Sequence, residues 1–134
     1  MKKFRWVSCV LLLLTGCSND SQVSTYHVED DQQEIELIQT ALKDNQNIND
    51  ADVVFFDHQL VVAIQVKPLS KFKKVKITKS FEKEVKSLFP DHKVFVSSDL
   101  KISWELEKII KEKPTMEDLK KDLDDIQALS KEVT

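Results

Sequence analysis

The sequence predicts an α+β domain: a small antiparallel three-stranded sheet covered by two helices in the order α-β-β-α-β, followed by a C-terminal helical pair. Three short β-branched and aromatic runs carry the sheet: DVVFFD at 52–57, LVVAIQVK at 60–67 and KVFVS at 93–97. Around them apolar residues recur every three or four positions, the period of helices that bury one stripe. Such a stripe must lie on another element, so the first two helices are expected to cover one face of the sheet.

Helix one is read from Gln32 to about Asn45, with Ile35, Ile38, Ala41 and Leu42 as its apolar face, Asp30 or Asp31 as N-cap and Glu34 in the first turn. The runs at 52–57 and 60–67 form a hairpin, since Asp57 and His58 tolerate turn conformations well. Pro68 ends the second strand, and the loop to Lys74 leads into helix two, with Ile77, Phe81, Val85 and Leu88 inward and Pro90 as its stop. Helix three follows the last strand. Ser98 or Asp99 caps it, Ile102, Leu106, Ile109 and Ile110 form its face, and the restriction before Pro114 ends it. Thr115-Met116-Glu117-Asp118 nearly spells a capping box for helix four, whose seam runs Met116, Leu119, Leu123, Ile126 and Val133. The short link favours an αα-hairpin between the two, with the seam buried largely within the pair. On that reading, truncation before Pro114 should leave the α-β-β-α-β unit folded.

The first sixteen residues read as a signal peptide. Lys2, Lys3 and Arg5 supply its positive start, Val7 to Leu14 its apolar run, and Leu14-Thr15-Gly16-Cys17 resembles a bacterial lipobox. That resemblance implies cleavage after Gly16 and diacylglycerol on Cys17. A membrane span needs about 20 apolar residues, and this run breaks at Ser18-Asn19-Asp20. The chain therefore divides into a leader (1–16), a lipidated N-terminus and flexible tether (17–31), an α+β domain (32–113) and a C-terminal helix packed on or extending it (114–134). Cys9 leaves with the leader, so neither a disulfide nor a cysteine metal site is expected.

Composition narrows function further. The part after the leader carries a formal charge of −6, distributed as −9 over 20–66, +6 over 67–98 and −3 from Asp99 onward. Its basic residues are all lysine, which lacks the planar fork that arginine uses on bases and phosphates, so specific nucleic-acid readout is not expected. Gly16 is the only glycine, which argues against phosphate-cradling loops. His27, His58 and His92 fall in the tether, a turn and a post-proline loop without ligand spacing, so no metal or cofactor is expected. The serines lack a strained nucleophile turn, and acidic pairs such as Asp124-Asp125 fall on an exposed helix face; no catalytic residue is assigned.

The remaining candidate is a lysine series from Lys67 to Lys86, densest at Lys71, Lys73, Lys74 and Lys76. Beside a lipid anchor these four are candidate contacts for an anionic surface, whereas a solvated helix face is the simpler account of a charge run. Phe72 among the lysines, and Trp104 off the face of helix three, are either interaction anchors or rings covering the domain edge.

Taken in order behind a lipobox, the hairpin, the lysine-rich helix and the segment Pro90-Asp-His-Lys-Val-Phe-Val-Ser-Ser-Asp99 resemble the YhcN/YlaJ-like family of sporulation lipoproteins, over about Gln32 to Lys111. The C-terminal helices resemble its shorter YlaJ-type branch. The resemblance implies a spore-forming Gram-positive cell, attachment to the extracytoplasmic face of its membrane or to the spore or forespore membrane, and a part in germination or outgrowth. It carries over only Cys17 as a site, with membrane lipid as partner through that residue; anionic headgroups or an envelope protein are the further candidate partners. A general envelope lipoprotein unrelated to spores, or a wall-polymer hydrolase, are the alternatives.

Overall fold

A computed structural model describes residues 22–133, with side chains through Leu129. Gly16 and Cys17, and with them the lipidation and cleavage expectations, lie outside the described residues. In chain order the elements are β1 (Gln22–His27), α1 (Gln32–Asp44), β2 (Ile48–Phe56), β3 (Gln59–Val66), a 3-10 turn (Pro68–Lys73), α2 (Lys74–Leu88), β4 (Lys93–Ser97), α3 (Leu100–Glu112) and α4 (Met116–Val133).

The α+β class holds, but the sheet is four-stranded and mixed rather than three-stranded and antiparallel. Its spatial order is β1-β2-β3-β4. β2 and β3 pair antiparallel, whereas β1 runs parallel to β2 and β4 parallel to β3. The added strand lies in the stretch expected to be tether. Polar QVSTYH hides an alternation in which Val23 packs on one core and Tyr26 on the other, and edge position explains why its remaining residues stay polar.

The caps fall where the sequence indicates. Asp31 Oδ1 accepts from the Gln33 and Glu34 amides at 3.0 and 3.3 Å, and Asp99 Oδ1 from Lys101 N at 2.9 Å. The hairpin turn is Asp57-His58, both at positive φ (46° and 59°), and Lys113 closes α3 at φ 47°. In a chain without glycine at these places, the primed turn relies on residues that tolerate the left-handed region.

Strand alternation divides the core in two. Ala51, Val53, Phe55, Leu60, Val62 and Ile64 point toward α1 and α2, which contribute Ile38, Leu42, Phe81 and Val85. Val54, Phe56, Val61 and Ala63 point the other way, against Ile102, Leu106 and Ile109 of α3 and Leu119, Leu123 and Ile126 of α4. The molecule is therefore a three-layer α/β/α stack, and the central strands read as unbroken apolar runs because both faces are covered. Leu119, Leu123 and Ile126 of the α4 seam are not buried within the helix pair alone: they complete the second core, which removes the basis for a self-sufficient unit ending before Pro114. Met116, expected in the seam, is instead 62% exposed, and the Val133 side chain lies outside the described residues.

Candidate functional site

The lysine cluster sits on a prominence whose geometry follows from its sequence. Pro68 has no amide hydrogen to continue the ladder, and the chain turns off β3 into the 3-10 turn. Its base is pinned to the start of β2: Lys67 N donates to Asn47 O at 2.9 Å, and Ser70 Oγ to Asn47 Oδ1 at 3.1 Å. With three residues per turn, side chains at i and i+3 eclipse, so Leu69 and Phe72 form one row that Val75 extends into the first turn of α2. Lys73 and Lys76 follow Ser70 on one side of that row, and Lys71 and Lys74 occupy the other. All four lysines are exposed. So is the apolar row, with Leu69 at 95%, Phe72 at 99% and Val75 at 67%.

Two features of this prominence run against folding stability. Near-complete exposure forfeits the burial that an aromatic or aliphatic side chain ordinarily gains. In addition, α2 has no acid in its first turn and no side-chain N-cap, and lysines there oppose the positive end of the helix dipole.

The opposite end of the sheet is acidic and histidine-rich. His27 Nε2 lies 2.8 Å from Glu34 Oε1, and His92 Nε2 lies 3.0 Å from Glu34 Oε2. His27 Nδ1 accepts from the Glu29 amide at 3.1 Å, which leaves Nε2–H to donate to Glu34. His27 stacks on Phe55 at 4.6 Å between centroids, and His92 meets Phe55, Phe89 and His58 edge-on. A cavity of about 210 Å³ opens here, with Glu29, Asp31 and Asp57 also on its wall. Sequence spacing separates the three histidines and gives no signal of this convergence; the parallel pairings of β1 and β4 bring them together. Among the described residues, no group of three or more His, Cys, Asp or Glu side chains is placed to hold a metal ion.

A third concavity, about 700 Å³, runs between α2 and the outer edge of β4, with Val75, Phe95, Leu100 and Ile102 on its wall and Lys74 and Lys79 beside it. The family model for the sporulation lipoproteins YhcN/YlaJ matches residues 16–126, which spans every strand and reaches Ile126 in the second core. The chain belongs to the YhcN/YlaJ family of sporulation lipoproteins. No curated protein and no solved structure gives a match. Among the described residues, no helix of this YhcN/YlaJ-family chain is long and apolar enough to cross a membrane.

The structure brings the four predicted lysines together on one prominence and joins Phe72 to them, while Trp104, 59% exposed, stands on α3. Leu69 and Val75 were legible as partners of Phe72 from their three-residue spacing, a period that a loop assignment discards. One further group is the half-buried Asp52, whose Oδ2 accepts from the buried Ser103 hydroxyl at 2.9 Å. Burial raises the Asp52 carboxyl above its ordinary value, against the lowering effect of the Ser103 bond and with added repulsion from Glu107 and Asp50. The folded state thus keeps this proton to higher pH than the unfolded chain, so stability contributed by Asp52 is present below the ordinary carboxylate range and lost as pH rises through the raised value. Asp52→Asn should gain on wild type as pH goes from about 4 to neutral. Melting curves of both proteins across that range check this, and a pH-independent difference would contradict it.

Proposed function

We propose that this protein is a lipid-anchored, non-enzymatic component of the membrane of sporulating Gram-positive cells, serving the spore membrane in germination or outgrowth. The leader is cut after Gly16, Cys17 carries diacylglycerol, and the domain stands on the extracytoplasmic face as a binding surface. The observation that carries the reading is the extent of the family match, which begins at Gly16-Cys17 directly behind a positively charged apolar leader.

Intact-mass measurement of protein extracted from sporulating cells should give a chain starting at Cys17 with added diacylglycerol. A mass equal to unmodified residues 17–134 would remove the anchor. Spores carrying Cys17→Ser should germinate or grow out more slowly than wild type; unchanged kinetics, with the variant released from the membrane, would separate the anchor from any role in germination.

A further inference from the structure

We propose that the domain makes its own contact with the membrane, in which Leu69, Phe72 and Val75 enter the headgroup–acyl boundary of an anionic bilayer while Lys71, Lys73, Lys74 and Lys76 hold its phosphates. This goes beyond the lipid anchor and takes from that reading only the identity of the nearby surface.

The row geometry is the first support. A line of apolar side chains with lysines on both sides, almost wholly in water, has the amphipathic arrangement of an interfacial segment, in which apolar groups sink and lysine stems reach up to the headgroups. No acid occurs between His58 and Phe81, so the prominence is uniformly positive.

The strand register is the second support. β1 runs parallel to β2 with Gln22 beside Asp50, and Asp50 pairs with Gln65 of β3, three residues before Pro68. The described chain therefore starts at the same end of the sheet as the prominence. From Cys17 to Gln22 is five residues, which reach at most about 18 Å. A lipid on Cys17 thus confines this end of the domain to the bilayer's vicinity.

Charge segregation is the third. Glu29, Asp31, Glu34 and Asp57 gather at the far end of the same sheet, while Asp44 and Asp50 lie at the prominence's own end, so it is the prominence itself, rather than that whole end of the domain, that presents positive charge to an anionic surface. Prominence against prominence, a second copy of the chain would meet like charge.

The test uses residues 17–134 with Cys17→Ser, which keeps both cores and carries no lipid. Vesicles of equal parts phosphatidylglycerol and phosphatidylcholine should bind it at low salt, and vesicles of phosphatidylcholine alone far less. At about fivefold per lysine, changing all four to Gln should weaken binding several-hundred-fold. Phe72→Ser should weaken it about tenfold with the lysines intact. A depth reading separates insertion from attraction: in a Trp104→Phe background, Phe72→Trp should shift to the blue on binding and be quenched by brominated acyl chains. Three outcomes would overturn the proposal: absence of binding at low salt, equal binding by Phe72→Ser with an unquenched Phe72→Trp, or loss of self-association rather than of vesicle binding in Phe72→Ser. None of them bears on the mass of Cys17, so the anchor and the second contact stand or fall separately.

Discussion

A chain ended at Lys113 should lose its cooperative tertiary structure, although every strand and three of the four helices would remain. Leu119, Leu123 and Ile126 are each 1% exposed and pack on Val54, Phe56, Val61 and Ala63 and on the inner face of α3. Burying a side chain of this size contributes about 1.5–3 kcal/mol. Three such losses, with the apolar strand face they uncover, approach the roughly 5–15 kcal/mol that holds an ordinary domain folded. The expected product retains part of its helical circular dichroism, loses its near-ultraviolet signal and binds a hydrophobic dye, the behaviour of a collapsed chain without fixed packing. A melt as sharp as that of residues 17–134 and within a few degrees of it would show that α3 alone closes the second core. Leu123→Ala grades the same effect, with an expected cost of about 2–5 kcal/mol.

Phe55→Ala should be among the most damaging single substitutions, at about 3–5 kcal/mol. The ring is 1% exposed and packs where β1, β2 and the loop before β4 meet. His27 stacks on it at 4.6 Å, and Phe89 and His92 contact it edge-on at 5.5 and 6.0 Å. Its removal leaves a cavity under two histidines whose orientation toward Glu34 depends on that packing. For a domain of this size each kcal/mol shifts the melting temperature by about 4 °C, so a drop of roughly 12–20 °C is expected, with Phe55→Leu falling between the two. A drop below about 4 °C would mean that the aromatic group collapses around the vacancy.

Local signals were sufficient for most of the elements. Asp31 and Asp99 cap the helices they precede, the Ile77-Phe81-Val85 spacing faces the core, and Pro90 ends α2 one residue after its C-cap. Lys71, Lys73, Lys74 and Lys76 were readable as a patch because they fall within six consecutive residues. Gln22–His27 was not readable as a strand: an edge strand needs few apolar residues, and its pairing partner is 28 positions away.

The sequence by itself determined the α+β class, the order of the helices and the lysine cluster, because each of these depends on composition or on residues within a turn or two of one another. Only the tertiary structure decided the four-stranded mixed sheet, the second core under α4 and the meeting of His27 and His92 on Glu34. These depend on which strands pair and in which direction. Residues far apart in the chain compete for such pairings through backbone hydrogen bonds that every residue but proline can donate. The same holds for the placement of the chain's start beside the lysine prominence. The parallel register of β1 on β2 sets it, and no local period encodes that register.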